Sequence, residues 1–338
     1  MKLIIQIPCY NEEETLKIAL DALPKHIDGI DVIEYLIIND GSKDNTAQVA
    51  KDWGVHHIVN FRNNKGLARG FMAGIDACLR NGADIIVNTD ADNQYNADDI
   101  EKLVRPILNH EAGMVIGERP IDQTEHFSPL KKKLQHFGSW VVRKASKTDV
   151  PDAPSGFRAY SRHTAMRLNV VNNYTYTLET IVQAGQERMA VMSVPIRTNE
   201  ELRPSRLFSG MWSYVKRSMV TILRSMMYYN PLRFFSWLSL LFAVPGLALL
   251  IRYLVFLFIG RSNGHIQSLV VGGMLFTVGI LTFLMGLVAD VVAANRKLTE
   301  EQLFFSRRQG YGPGHEEMKR AKEKEQSKAE AEVDIYDA

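Results

Sequence analysis

The sequence predicts an α/β fold with a mainly parallel sheet, followed by a region that lies on and crosses a membrane. Two observations predict this organisation. In the first half of the 338-residue chain, short apolar runs alternate with amphipathic stretches, which is typical of strands joined by helices. After about residue 209 the pattern changes to long uncharged runs, which are long enough to cross the hydrocarbon core of a bilayer.

The alternation can be assigned element by element. Buried strands are predicted at 3–8, 35–39, 57–60, 85–89 and 114–117, and helices at 12–22, 46–53, 67–79 and 97–108. Helices are expected on both faces of such a sheet, and ligands bind at the carboxyl ends of its strands near a topological switch point. The residues that directly follow each strand are therefore the candidates for a functional site.

The second half predicts membrane segments. Apolar residues at helical spacing within 206–232, with basic residues on the other faces, indicate juxtamembrane amphipathic helices. Two uncharged runs predict transmembrane helices at 233–259 and 266–293, and a charged tail occupies 294–338. Because basic residues flank the outer ends of this pair, the positive-inside rule places the N-terminal domain (1–205) and the tail in the cytoplasm.

The membrane segments also have simpler explanations. The amphipathic stretch could be an ordinary surface helix packed on the domain, and the two apolar runs could be buried helices of a large soluble core. Gly272, Gly279 and Gly286 recur every seven residues on one face of the second run, where another helix could approach closely. Self-association into a homo-oligomer is one hypothesis for this face.

Composition argues against several classes of protein. A formal net charge of +2, without a basic stripe interleaved with aromatic residues, does not indicate nucleic-acid binding. Cys9 and Cys78 are not part of a CxxC pair or a His/Cys cluster, so neither zinc nor a disulfide framework is indicated. The N-terminus is not typical of a signal peptide, because its apolar run is short and charged residues soon follow.

Two polar segments follow the first two predicted strands. In the first, Pro8 ends the strand and turns the chain, and the aromatic Tyr10 with its polar neighbours Asn11 and Glu12 could hold a base and a ribose. The acidic first turn of a helix explains that segment equally well. In the second segment, Asp40 emerges from the strand tip and Gly41 permits a tight turn, and local capping accounts poorly for this aspartate.

A third segment follows the predicted strand 85–89 and contains Asp90 and Asp92. Carboxylates two residues apart on an extended segment point the same way and repel each other unless a cation lies between them. Oxygen ligands suit Mg²⁺ or Mn²⁺, and such a cation would also bind a substrate diphosphate. A simple polar turn after a strand would explain this pair when it is considered alone.

Together, these three segments at these strand ends resemble the family 2 glycosyltransferases, whose catalytic domain has the GT-A fold. The resemblance covers residues 1–205 and includes the Asn64-Lys65-Gly66 segment. It implies that a divalent metal ion is bound by Asp90 and Asp92, with Gln94 completing the shell. The donor-nucleotide site that it implies comprises Pro8, Tyr10, Asn11, Glu12, Asp40, Lys65, Gly66, Asp90, Arg203 and Arg206.

The Ser155-Gly156-Phe157-Arg158 segment narrows the resemblance. It is similar to the corresponding segment of polyprenyl-phosphate sugar transferases, which include the dolichyl-phosphate mannose synthase type and two-span bacterial glucosyl relatives. In that group basic residues hold the acceptor phosphate, although a lysine triplet alone is as often a solvated face. The acceptor-phosphate residues implied here are Arg119, Lys131, Lys132, Lys133, Ser155 and Arg158.

The chain departs from the family pattern where an acidic pair is usual near the acceptor. Only Glu179 remains there, so the candidates for catalysis are Asp92, Asp152, Glu179 and Arg158. A sugar hydroxyl would need a general base to remove its proton. A phosphate monoester is already ionised and needs only positioning, charge screening and stabilisation of the leaving group. A phosphate acceptor is therefore compatible with the reduced acidic pair.

The resemblance implies an inverting, metal-dependent transfer of a sugar from a UDP- or GDP-linked donor to polyprenyl phosphate at the cytoplasmic membrane. The nearest competing hypothesis is a glycosyltransferase that extends a lipid-linked or cell-surface saccharide, with Glu179 or Asp152 as a true base. A nucleotidyltransferase would also use a carboxylate pair at a strand end, but it would release inorganic diphosphate. A membrane scaffold with an inactive transferase fold would not turn over a donor.

Overall fold

The computed structural model describes residues 1–120, 148–171, 175–199, 229–260 and 265–311, together with the isolated positions Ser139, Arg143, Ser146, Val220, Arg224 and Met227. The chain divides into two compact units. The first unit comprises Met1–Ser213 and Glu300–Ala338, and the second unit comprises Tyr214–Thr299. Predicted boundaries that lie between the described ranges, such as 205/206, stay predictions.

A seven-stranded sheet forms the centre of the first unit. Its strands, in chain order, are β1 Lys2–Cys9, β2 Val32–Asn39, β3 His57–Asn60, β4 Ile85–Asn88, β5 Met114–Glu118, β6 Arg158–Ser161 and β7 Val191–Pro195. In space their order is β3-β2-β1-β4-β6-β5-β7. The strands β1 to β4 pair in parallel, β5 pairs in parallel with β7, and β6 is antiparallel to both of its neighbours.

Helices cover the sheet. In the described part of the first unit they are α1 Leu16–Asp21, α2 Thr46–Trp53, α3 Leu67–Arg80, α4 Ile100–Leu108, α5 Arg162–Arg167 and α6 Thr177–Gln186, and a short 3₁₀ turn at Ala97–Asp99 precedes α4. The central strands are buried on both faces, as their nearly continuous β-branched and leucine content requires. The predicted α/β class is therefore confirmed.

The first helix begins later than the sequence predicts. The sequence pattern predicts a helix over 12–22, whereas α1 begins at Leu16. The preceding residues are instead held by the segment after β2, since the backbone N–H of Asn11 donates to Ser42 Oγ in the loop at 3.0 Å and that of Glu12 donates to Thr46 Oγ1, at the start of α2, at 2.8 Å. Asn11 also has a φ of 55°, which is incompatible with a helix.

The second unit contains two long apolar helices, α7 Pro231–Phe258 and the greater part of α8 Ile266–Tyr311. Both are long and apolar enough to cross a membrane, and only 6% and 11% of their most apolar windows are buried within the chain. The core of a large soluble protein would bury such helices. The helix predicted at 266–293 continues beyond 293, and its last residues, 300–311, belong to the first unit.

The glycine face of α8 packs against α7 within the same chain. A Cβ on Gly279 would lie 2.7 Å from the Cβ of Ala243, and Ser239 Oγ donates a hydrogen bond to the Gly279 carbonyl at 2.7 Å. Gly272 and Gly286 are similarly close to Leu249 and Phe235. The sequence correctly predicted a close helix partner, but this contact is intramolecular, so the glycine spacing does not support self-association.

Candidate active site

The carboxyl ends of β1, β2 and β4 meet at one edge of the sheet. The register of β1 places Cys9 opposite Asn39 of β2 and Gln6 opposite Asn88 of β4. Because the chain continues from β1 to β2 on one side while β4 lies on the other, the crevice between β1 and β4 is a topological switch point. All three polar segments of the sequence start from this edge.

Asp40 fixes the loop that leads into α3. Its carboxylate is almost fully buried, and its two oxygens accept hydrogen bonds from the backbone N–H groups of Lys65 at 2.7 Å and Gly66 at 2.9 Å. Gly41 has a φ of 69°, and a Cβ there would lie 2.5 Å from the carbonyl carbon of Asn63. Asp40, Lys65 and Gly66, which were all predicted for the donor site, are thus brought together.

The segment after β1 forms one wall of a cavity of about 320 Å³. Its lining residues are Asn11, Glu12, Glu13, Glu14, Thr15, Lys43 and Asp44. Glu12 is buried and accepts from Thr15 Oγ1 at 3.0 Å, and Asn11 Oδ1 accepts from the N–H of Lys43 at 2.8 Å. Tyr10 is 39% exposed at the end of this segment, and Pro8 lies inside β1.

Asp90 and Asp92 follow β4 in a tight turn, and both are half-buried. The backbone N–H of Gln94 donates to Asp92 Oδ1 at 3.1 Å, and Asn93 between them has a φ of 57°. The carboxylate of Asp90 lies against Gly156, since a Cβ there would be 3.3 and 3.4 Å from its two oxygens. The turn therefore places the Asp90 carboxylate beside the segment 155–158.

The donor set fits a divalent cation that is shared with a substrate. Within the described ranges, no cluster of three or more His, Cys, Asp or Glu side chains could hold a metal ion by itself. Mg²⁺ is usually bound by one or two carboxylates together with substrate phosphates and water rather than by a complete protein cage. Asp90 and Asp92 match that requirement, because a nucleoside diphosphate would supply the remaining oxygens.

The chain returns to this turn after β7. The backbone N–H of Asn199 donates to the carbonyl of Gln94 at 2.8 Å, and its side-chain amide donates to the carbonyl of Asn93 at 2.9 Å. Arg197 is held by Asp99, whose carboxylate accepts from its N–H at 2.6 Å and from Nη2 at 2.8 Å. Residues 197–199 thus lie beside the Asp92 turn. The basic pair Arg203 and Arg206, predicted to contact the donor, lies outside the described residues.

A buried polar network that the sequence analysis missed ties segment 155–158 to β4. Asn88 Nδ2 donates to the carbonyl of Gly156 at 3.0 Å and to Tyr176 Oη at 2.8 Å, and its Oδ1 accepts from Gln6 at 2.9 Å. The N–H of Gly156 donates to Tyr95 Oη at 3.1 Å. Burial raises the pKa of both tyrosines, so their hydroxyl groups stay neutral. Asn88, a buried polar residue at the end of the apolar strand β4, was the available signal.

Arg119 and Asp152 form an ion pair between the end of β5 and the segment before β6. Nε and Nη2 of Arg119 donate to Oδ2 and Oδ1 of Asp152 at 2.7 and 2.9 Å. Burial alone would lower the pKa of Arg119, but the Asp152 charge outweighs it and raises that pKa. Both oxygens of Asp152 thus accept hydrogen bonds from one guanidinium.

Arg158 was predicted to bind the acceptor phosphate, but the structure gives it another position. Its side chain is fully buried, and it donates to four oxygens of its own chain: the carbonyls of Ala153, Ser155 and Thr177, and Thr180 Oγ1, at 2.7–2.9 Å. Its side chain joins segment 153–155 to the start of α6. Ser155 Oγ, by contrast, is buried without a hydrogen-bond partner among the described residues.

Glu179 lies in the first turn of α6 and is buried. Its Oε1 accepts from the backbone N–H of Val171 at 3.1 Å, so it holds the segment that precedes α6. The predicted acceptor residues Lys131, Lys132 and Lys133 lie outside the described residues. Glu179 as a base and the lysines as phosphate ligands therefore stay predictions.

Comparison with known proteins agrees with this geometry. The family model "Glycosyl transferase family 2" matches residues 4–168. A UDP-N-acetylglucosamine–dolichyl-phosphate N-acetylglucosaminyltransferase of Methanococcus voltae is 32% identical over 57% of this chain and 83% of its own length. An undecaprenyl-phosphate mannosyltransferase of Micrococcus luteus is 27% identical over 62% of this chain and 89% of its own length.

A solved structure has the same fold. Glucosyl-3-phosphoglycerate synthase of Mycobacterium tuberculosis, in complex with Mn²⁺, UDP-glucose and phosphoglyceric acid, superposes with a TM-score of 0.52 at 19% identity, covering 65% of this chain and 79% of that one. The sheet and its strand-end carboxylates thus define an α/β enzyme with the GT-A fold. Within that class, the chain belongs to glycosyl transferase family 2.

Proposed function

We propose that this glycosyltransferase moves a sugar from a nucleotide diphosphate sugar to a polyprenyl phosphate, with inversion at the anomeric carbon and with Mg²⁺ or Mn²⁺. The observation that carries the proposal is the engagement of both acidic candidates for a base. Asp152 is paired with Arg119, and Glu179 accepts from the Val171 N–H. A hydroxyl acceptor would need such a base, whereas an ionised phosphate does not.

The relatives support the same acceptor class. The Methanococcus voltae protein acts on dolichyl phosphate, and the Micrococcus luteus protein acts on undecaprenyl phosphate, as their names state. The sugars in the two names differ, so the shared feature is the polyprenyl phosphate. The two apolar helices α7 and α8 would hold the enzyme at the membrane that contains this lipid. The flanking basic residues favour a cytosolic catalytic unit.

The donor would lie along the strand ends. Tyr10, Glu12 and Asp40, with the Lys65-Gly66 backbone, would contact the nucleoside side. Asp90 and Asp92 would hold the cation against the diphosphate, where it would offset the charge of the leaving group. That the Mycobacterium tuberculosis enzyme of the same fold was crystallised with Mn²⁺ and UDP-glucose supports this assignment.

The reaction would be a single displacement. An oxygen of the lipid phosphate forms a bond to the anomeric carbon, and the bond from that carbon to the nucleoside diphosphate breaks with its electron pair leaving on the diphosphate. No proton is transferred in this step. Two described groups would orient the acceptor. One is the guanidinium of Arg119, which is more exposed than its partner Asp152, and the other is the Ser155 hydroxyl, which has no hydrogen-bond partner among the described residues.

The test is sugar transfer from a panel of radiolabelled UDP- and GDP-sugars to polyprenyl phosphate, with Mn²⁺ or with EDTA. Metal-dependent label in the lipid fraction is expected, and Asp92→Asn should reduce it by about a hundredfold or more. Asp28→Asn makes the same change at an exposed surface position and should have no effect. Label found only in an extracted lipid-linked saccharide, with none in polyprenyl phosphate, would overturn the phosphate acceptor.

A further inference from the structure

The last turns of α8 pack on the catalytic sheet's own helices, within the first unit. We name residues 300–311 the docking segment. Its inward-facing residues recur at helical spacing, and Phe304 is 6% exposed beneath the guanidinium of Arg167, 4.3 Å from the ring centroid. At the end of the segment, the Tyr311 hydroxyl accepts a hydrogen bond from Arg80 Nε at 3.1 Å, and the Tyr311 backbone carbonyl accepts one from Arg162.

Arg307 is the buried charge of this contact. It is only 9% exposed, and Nη1 donates to the carbonyl oxygens of Leu168 at 2.7 Å and Met166 at 3.3 Å. Its Nε also lies 3.5 Å from a carboxylate oxygen of Asp76. The last carbonyls of a helix have no partner within the helix, and positive charge is favourable there, so Arg307 completes the end of α5.

The segment that Arg307 holds is bound from its other side by α6. Gln183, which is fully buried, accepts from the N–H of Asn169 at 3.0 Å and donates to the carbonyl of Arg167 at 2.9 Å. Glu179 accepts from the N–H of Val171 at 3.1 Å. Residues 166–171 are therefore clamped between the docking segment and α6.

The first turn of α6 reaches the acceptor side of the site. The Thr177 carbonyl and the Thr180 hydroxyl accept from Arg158, which also donates to the carbonyls of Ala153 and Ser155. Ser155 follows closely on Asp152, the partner of Arg119. Buried and partly buried hydrogen bonds, joined through residues 166–171 and the backbone of α6, thus lead from Arg307 to segment 152–155. The Lys65-Gly66 loop on the donor side is held differently, by the carboxylate of Asp40.

We propose that the docking segment is a brace of the catalytic unit, and that Arg307 is a positioning residue which sets the acceptor side through residues 166–171 and α6. Nothing in the sequence indicated this role, because 294–338 was predicted as a charged tail. The effect on acceptor affinity rests on the proposed function. The bracing contact itself can be tested by a measurement that needs no sugar transfer.

The experiment uses the full chain in detergent and compares Arg307→Met with Arg308→Met. Both variants remove one positive charge, but Arg308 is exposed. We expect Arg307→Met to raise the KM for polyprenyl phosphate about threefold to tenfold and to leave the affinity for the nucleoside diphosphate unchanged. Arg307→Lys keeps the charge and one carbonyl contact, so it should restore part of the loss.

Hydrogen exchange provides the readout that does not depend on activity. Amides at 168–171 and in α6 should lose protection in Arg307→Met and keep it in Arg308→Met. Unchanged exchange there, or an equal loss of donor and acceptor affinity, would overturn the proposal. If the wild-type protein labels no polyprenyl phosphate, the proposed function fails. The hydrogen-exchange result still shows whether the docking segment stabilises residues 168–171 and α6. If Arg307→Met does not fold, the same comparison is made with Arg307→Lys.

Discussion

Arg119 and Asp152 form a bidentate ion pair in which the carboxylate is fully buried and the guanidinium is 14% exposed. The pair joins two segments that the sequence assigned to different tasks, acceptor binding and catalysis. The geometry connects these tasks differently, because the Asp152 carboxylate accepts from both Nε and Nη2 of Arg119 and so orients its guanidinium. We expect a residue held in this way to contribute to positioning, and its substitution tests this.

Asp152→Asn should therefore lower both the stability of the fold and the activity of the enzyme. Removing one partner leaves the Arg119 charge buried and unpaired, which costs about 3–5 kcal/mol, and the melting temperature should fall by several degrees. The double variant Arg119→Gln/Asp152→Asn should be less destabilised than the sum of the single variants, in thermal unfolding and in acceptor KM. Loss of turnover in Asp152→Asn without any change in melting temperature would instead identify Asp152 as a base.

Gly156→Ala should disturb the carboxylate pair through a single methyl group. The added Cβ would lie 3.0 Å from Tyr176 Oη and 3.3 Å from an Asp90 oxygen, so one of these groups must move. Overpacking of this kind costs about 1–3 kcal/mol, and metal-dependent turnover should fall with it. Metal affinity in the presence of nucleoside diphosphate, measured by titration, should weaken.

Gly70→Ala is the matched control for that variant. Its Cβ would lie 3.7 Å from the nearest atom, in ordinary contact with Ile38, and the glycine lies within α3. Alanine favours a helix by up to about 1 kcal/mol over glycine, so this variant should be as stable as the wild type or more stable. Equal losses of metal affinity in both variants would contradict the contact between Gly156 and Asp90.

Much of the site could be predicted, because the position at which each strand ends is visible in the local sequence pattern. The alternation of strands and helices fixes where Asp40, Asp90 and Asp92 leave the sheet, and parallel pairing then collects them at one edge. The partners of these residues could not be predicted. Asp40 binds backbone N–H groups 25 and 26 residues further along, which no side-chain pattern reveals.

Arg158 shows the limit of a motif. Its place in the Ser-Gly-Phe-Arg segment suggested a phosphate ligand, because that segment resembles the one in polyprenyl-phosphate sugar transferases. Whether an arginine faces a cleft or its own backbone depends on the tertiary contacts of Ala153, Thr177 and Thr180, and the two threonines are remote in sequence. The same reason explains why the docking segment was predicted only as part of a charged tail: its partners belong to α3 and to the region of α5.

Arg158→Met should act chiefly on stability. Four oxygens would lose their donor, and each buried acceptor left unsatisfied costs about 1–3 kcal/mol, so a large drop in melting temperature is expected. Arg158→Lys keeps the charge, but it should recover little of the lost stability because one ammonium group cannot reach four separated oxygens. Wild-type stability with a raised acceptor KM in Arg158→Met would show that Arg158 contacts the phosphate after all.

Asp99 should make the protein acid-sensitive. Burial alone would raise its pKa, but hydrogen bonds from Arg197 outweigh burial and lower it. Because the folded-state pKa lies below the unfolded value of about 3.9, the stabilisation is present above that pH and is lost as the pH falls through the folded pKa. The melting temperature of Asp99→Asn should lie below that of the wild type at pH 7, with the difference shrinking below about pH 4. Asp98→Asn, at an exposed neighbour, should follow the wild type throughout, and a constant difference for Asp99→Asn would contradict this assignment.

Gly279→Val should separate α7 from α8 without changing the oligomeric state. The glycine allows Ala243 to approach so closely that a Cβ would be 2.7 Å from it, so a valine must push the helices apart at a cost of about 1–3 kcal/mol. The melting temperature in detergent should fall, and the mass from light scattering should stay that of the wild type. Gly273→Val is the control on the same helix, because a Cβ there meets no atom of the described chain within 4 Å, and it should leave both quantities unchanged. A smaller mass for Gly279→Val alone would show that this face joins two copies of the chain rather than two helices of one, since only an intermolecular contact would dissociate when the glycine is replaced.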